Sequence, residues 1–117
     1  LAAAAAVLPF LFVPQTEART PLPDLPEGLA SFGAAVAGDS LYVFGGHVGK
    51  THRHSLEHLS HRFLRLDLER GGDWEELPLE YGLQGVELLS DGQGVLRIGG
   101  LSARNWDGEP EDLHSLA

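Results

Sequence analysis

Residues 34–46 read AAVAGDSLYVFGG, and residues 86–100 read VELLSDGQGVLRIGG. Both run in the same order: a short apolar segment, a break containing Gly and Asp, a second apolar segment, and a Gly-Gly pair. Short β-forming runs on either side of such a break predict antiparallel hairpins. In the first, residues 32–37 pair with 41–44 across Gly38-Asp39; in the second, 85–89 pair with 95–98 across Ser90-Asp91-Gly92. The glycine pairs, at 45–46 and 99–100, lie 54 residues apart. Between the hairpins, residues 63–68 and 74–77 predict two more short strands, separated by Arg70-Gly71-Gly72-Asp73. The expectation is an all-β chain built on a repeat of about 50 residues with four short strands in each unit.

Units of that length and strand count are typical of propeller blades. At the level of residues the chain resembles kelch repeats, through the two hairpins above and the segment LRLDLERGGDW at 64–74. In kelch repeats a Gly-Gly pair ends the second strand, an aromatic-Asp pair lies in the third, and a Trp opens the fourth. Gly45, Gly46, Asp67 and Trp74 match, Gly99 and Gly100 repeat the first feature, and Leu66 stands where the family usually has Tyr. The resemblance spans about residues 32–100. It implies a kelch-type β-propeller fragment, with one complete four-stranded antiparallel blade over 31–78 and a partial second blade, its first hairpin, over 79–117. Propellers close a ring of about 4 to 8 blades. The remaining blades of a longer chain are therefore expected as partners, covering sheet faces that one and a half blades would expose.

The motif has physical reasons that stand apart from the name. Paired glycines reach backbone conformations closed to other residues and let chains approach closely at a strand end. A Trp on an outer strand buries a large apolar area. Asp67 is placed to accept hydrogen bonds from the turn amides of 69–72.

Composition narrows the classes of function. Eight basic residues against seventeen acidic ones give a net charge of −9, which argues against nucleic acid or an anionic membrane surface as partner. Without cysteine there is no disulfide framework, thiolate metal site or cysteine nucleophile. The opening LAAAAAVLPFLFV is thirteen apolar residues long, well short of the roughly 20 that span a bilayer as a helix. It fits the apolar part of a secretory signal, with Thr16-Glu17-Ala18 placing small residues where a signal peptidase reads. A buried strand or helix is the alternative, disfavoured by five successive alanines and by Pro9 and Pro14. Residues 1–18 are accordingly expected to be a signal-peptide remnant, and the protein to be exported to the periplasm or outside the cell. Prolines at 21, 23 and 26 then make 19–30 an extended lead-in segment.

The connection from 47 to 62 holds five of the six histidines. If it forms a helical turn, His54, His58 and His61 share one face and have the side chains a Zn²⁺ site needs; a solvated polar loop with separate histidines is the alternative. Residues 45–51, GGHVGKT, approach a phosphate-binding loop, with a helix over 55–68 to follow, but the position that must be its first Gly is Phe44.

By the kelch resemblance, the loops joining strands two and three, and those leading to the next blade, project from one face. That face is where such propellers commonly bind ligands or proteins. Here it would gather His47, Lys50, His52, Arg53, His54, Tyr81, Gln84, Ser102, Arg104 and Asn105. His47, His52, Arg53, His54, Arg104 and Asn105 are the ligand-binding candidates, suited to a protein or carbohydrate ligand. The implied function is a binding scaffold that needs no cofactor. The alternative is a sugar-modifying enzyme: the lead-in LPDLP at 22–26 is similar to the start of periplasmic sialic-acid mutarotases. Copper-radical sugar oxidases share the propeller but need a Cys-Tyr crosslink, and this chain has no Cys. Glu75 and Glu76, adjacent on a strand, point to opposite faces and do not form an acid–base pair.

Overall fold

The computed structural model describes residues 20–116. The expected leader over 1–18 lies outside the described residues. Within them the chain is all-β, and no helix is long and apolar enough to cross a membrane.

Strands β1 (Gly33–Ala37), β2 (Ser40–Phe44), β3 (Phe63–Asp67) and β4 (Glu75–Leu77) form one antiparallel sheet in the order β1-β2-β3-β4. Ala37 pairs with Ser40, so the first turn is the two-residue Gly38-Asp39 break. Strands β5 (Glu87–Ser90) and β6 (Val95–Ile98) form a second hairpin, and β7 (Leu101–Ala103) with β8 (Leu113–Ser115) a third. Between β2 and β3 there is a single 3-10 turn at Leu56–His58, not the helix over 55–68. Alternation decides against that helix: Leu64 and Leu66 are buried while Phe63, Arg65 and Asp67 are partly exposed. This period of two is satisfied by pairing β3 with β2.

The repeat is geometric as well as sequential. Gly33 pairs with Phe44 and Glu87 with Ile98; Val36 pairs with Leu41 and Ser90 with Val95, so the two hairpins share one register at an offset of 54. Beyond each hairpin an isolated bridge follows at the same offset, Ala30 to His47 and Gln84 to Leu101. The glycine pairs also match, with φ of 60° and 113° at Gly45 and Gly46 and 64° and 123° at Gly99 and Gly100. Left-handed backbone at both positions explains why the pair recurs.

Val43 and Phe44 are consecutive, point to opposite faces, and are both buried, so β2 is covered on both sides. One cover is the second unit: Phe44 joins Leu83, Val86 and Leu88 in a core flanked by Ala35, Tyr42 and Phe63. The other side is crossed by the lead-in segment. Leu66 shares a recess with residues 20–23, the Trp74 indole donates to the Pro23 carbonyl at 3.2 Å, and the Ser60 hydroxyl donates to Glu27 at 2.7 Å. Arg62 adds an ion pair to Glu27 at 3.1 Å.

Asp67 behaves as its position in the sequence implies. Its Oδ1 accepts from the amides of Arg70 at 2.7 Å and Glu69 at 3.0 Å. The Arg70 amide, with the Glu69 amide and the nearby guanidinium groups, holds the carboxyl below its ordinary 3.8. A depressed folded-state value means that the carboxylate stabilises the fold fully above the unfolded value and loses that effect as pH falls through the folded one. Asp67→Ala should therefore lower the urea midpoint at pH 7, and the gap to the unsubstituted chain should close as denaturation is repeated below pH of about 4. A gap that stays constant into acid would show that the turn does not use the charge.

Candidate functional site

Antiparallel pairing sorts the connections onto two ends of the strands. Tight turns at 38–39, 68–74 and 91–94 lie at one end, where the Gly38 amide donates to the Gly92 carbonyl at 2.9 Å. The longer connections, 45–62 and 78–86, lie at the other, together with the β7–β8 loop at 104–112.

The long connections of both units are tied together. The Leu56 amide donates to the Asn105 carbonyl at 3.0 Å, and Arg53 pairs with Asp107 at 3.2 Å. The Asn105 amide nitrogen donates to the His54 carbonyl at 2.9 Å, while its Oδ1 accepts from the Asp112 amide at 2.9 Å. Buried Asn105 thus has both ends of its amide engaged within the protein. Hairpin β7–β8 extends this end of the second unit, carrying the 104–112 loop against residues 53–57.

His47, His54 and His58 cluster. The rings of His47 and His58 stack with centroids 5.8 Å apart, and His54 meets His47 edge-on at 5.6 Å. Each is held by a different bond. His47 Nε2 donates to the Arg53 carbonyl at 2.7 Å. Ser55 donates to Glu57 at 2.7 Å, so its one hydroxyl proton is spent and its oxygen accepts from His58 Nδ1 at 2.8 Å. The Ser55 hydroxyl, the Glu57 amide and the Asp107 amide hold the Glu57 carboxyl below its ordinary 4.5. In this chain the hydroxyl stands between imidazole and carboxylate, whereas a nucleophilic triad needs the imidazole in the middle. Stacked rings oriented by separate bonds do not converge on a point. Among the described residues no three His, Asp or Glu side chains are grouped to hold a metal ion. His61 lies apart, beside Gly82, because the single 3-10 turn does not carry it onto the face of His54 and His58.

Two recesses open here. A cleft of about 490 Å³ is walled by the end of the lead-in segment, by His47, His52 and His54, and by Gln84. A smaller one of about 220 Å³ lies between Arg53 and Asn105, with Asp107, Glu109 and Glu111 on its far side. Five of the six candidates wall a recess: His47 the larger, Arg53 and Asn105 the smaller, and His52 and His54 both, with the Asn105 amide also bracing the loops around it. Arg104 is exposed and lines neither recess.

Two features of the larger cleft carry no signature in the residue string. Ser31 and His52, with φ of 54° and 61°, are the non-glycine residues with left-handed backbone among those described, and both line it. Gln84, 7% exposed, also lines it; its amide nitrogen donates to His54 Nδ1 at 3.1 Å, and its Oε1 is buried without a partner. In comparisons with known proteins, no protein-family model and no curated protein matches the chain.

Proposed function

We propose that the chain is part of an exported kelch-type β-propeller that works as a binding scaffold, holding a ligand or protein partner on the face formed by its long connections. The observation that carries this reading is the convergence of loops from two consecutive units on one rim: Arg53 to Asp107, His54 to Asn105 and His54 to Gln84. A rim assembled from successive units is rigid where each unit is rigid, and binding residues on loops held by a rigid scaffold lose little entropy on capture.

The propeller part of the proposal is supported by how one unit meets the next. The second hairpin packs its Leu88 face onto the first sheet, so closely that a Cβ on Gly33 would lie 3.0 Å from the Leu88 side chain. Displaced by 54 residues, the face of the first sheet that receives this contact, Ala35, Tyr42 and Phe44, becomes Leu89, Leu96 and Ile98. Those three are among the exposed large apolar residues of the chain. The same contact repeated would cover them with a third unit, as in a ring of blades.

Hydrogen-exchange footprinting tests the function. Glycan and peptide arrays supply ligands that the chain retains, and the protected amides are then mapped. Protection within 47–62 and 101–112 is the expected result. Protection confined to the tight-turn end, around 38–39 and 91–94, would overturn the assignment of the binding face.

A further inference from the structure

The geometry points to the larger cleft as a site for a neutral, hydroxyl-rich ligand of mono- or disaccharide size, recognised by Gln84 and His54. This rests on the binding-face reading above and narrows it to a ligand class.

The chemistry of the pair sets the class. Nδ1 of His54 is occupied as an acceptor by the Gln84 amide, so the neutral ring carries its proton on Nε2 and has a donor to offer. Gln84 contributes an acceptor, Oε1, which has no partner. A buried polar atom left unpaired in a native fold calls for a partner. A hydroxyl group answers both at once, donating to Oε1 and accepting from Nε2. A carboxylate accepts but cannot donate, and an ammonium donates but cannot accept. Oε1 is shielded in the unliganded chain, and a small turn about the soft terminal torsion of Gln, one that keeps Nε2 on His54 Nδ1, presents it to a ligand without disturbing the backbone.

Charge points the same way. No Asp, Glu, Lys or Arg lines this cleft. The nearby guanidinium, Arg53, is paired with Asp107 in the smaller recess, beside Glu109 and Glu111. An acidic sugar entering the larger cleft would bury its carboxylate with no guanidinium or ammonium against it, at a desolvation cost a neutral sugar avoids. The volume of about 490 Å³ falls in the range of small-molecule sites, about 300–1,000 Å³. Left-handed backbone at Ser31 and His52 is stored strain, and it falls on this cleft, as strain does where a fold is held in shape for a ligand.

Ligand-observed saturation-transfer NMR on the full 117-residue chain tests the proposal and tolerates association of the protein. The probes are methyl β-galactoside, methyl α-mannoside, N-acetylglucosamine and maltose, against N-acetylneuraminate and glucuronate. Saturation should reach at least one neutral sugar and favour it over both acids. Gln84→Ala and the similarly sized Gln84→Met should each weaken it about tenfold or more, the loss of one hydrogen bond to a buried group. Arg70→Ala, an exposed cation in the 68–74 turn at the opposite end of the strands, should leave it unchanged, and circular dichroism identifies any variant that fails to fold. Binding of the acids alone, or neutral-sugar binding that survives both Gln84 substitutions in folded protein, overturns the proposal. If no sugar binds while a peptide still protects the rim amides, the ligand class falls and the binding face stands. If nothing protects the rim, both fall.

Discussion

Gly45→Ala should destabilise the chain far more than Gly99→Ala, although the two glycines occupy the same place in the repeat and have nearly the same φ, 60° and 64°. Left-handed backbone costs an L-residue roughly 1–2 kcal/mol at either site. Their surroundings differ. A Cβ at Gly99 would meet nothing, whereas one at Gly45 would run into the Leu83 carbonyl oxygen. That oxygen is fixed by the Gly46 amide at 2.7 Å, and the Leu83 side chain, 0% exposed, is packed with Phe44, Val86 and Leu88. Relieving the collision means moving backbone that carries the contact between the two units. Overpacking of this kind adds roughly 1–3 kcal/mol. Gly99→Ala should thus cost about 1–2 kcal/mol and Gly45→Ala about 2–5 kcal/mol. In a domain of this size each kcal/mol is worth about 4–8 °C, so the extra cost of roughly 1–3 kcal/mol at Gly45 should separate the two melting temperatures by about 4–24 °C. Thermal melts followed by circular dichroism at one protein concentration read the difference directly. Equal shifts would mean that Leu83 is not a fixed obstacle and that the contact between units is soft.

The strands were legible because both signals that specify them are local. The β-forming runs at 63–68 and 41–44 fall on β3 and β2, and the Gly-Asp break falls at the turn. Asp67 was legible for the same reason, since its partners are the next few amides. Strands β7 and β8 were not. Each has three residues, too few to show a period, and they are held by pairing across a nine-residue loop. The prolines marked 19–30 as extended but carried nothing about where it would lie; its course beside Leu66 and Trp74 is fixed by partners more than 30 residues away. At the rim, abundance of histidine drew attention to the 47–62 loop, and His47, His52 and His54 do reach one cleft. His47, His58 and His54 are bonded to a carbonyl, a serine and a glutamine respectively, pairings that a count of imidazoles does not show. Asn105 read as a ligand contact; its bracing bonds between two loops were not legible, because polar type alone does not distinguish an amide facing solvent from one spanning two loops. The left-handed backbone at Ser31 and His52 has no counterpart in the string at all, since neither position uses Gly.

Concentration should decide the state of this chain in solution. Leu89, Leu96 and Ile98 are 52%, 63% and 48% exposed, while Phe44, the counterpart of Ile98 one repeat earlier, is 5% exposed. Leu89 and Leu96 are direct cross-strand partners, and Ile98 lies two residues further along the same face, so the three form one continuous apolar surface. The outer edge of β6 also has no paired strand among the described residues, whereas the matching edge of β2 is taken by β3. An apolar face beside an open edge is the combination that recruits another chain. Analytical ultracentrifugation should find the unsubstituted chain associating as its concentration rises through the micromolar range. Leu96→Lys combined with Ile98→Glu should return it to a monomer, because both charges then sit where a neighbouring sheet would have to bury them. The double variant should keep its circular dichroism spectrum, since both side chains are already largely in water and removing them leaves the Leu83 core untouched. A monomeric unsubstituted chain with a sharp cooperative melt would mean that this face is stable in water as it stands, and the case for a third unit upon it would be lost.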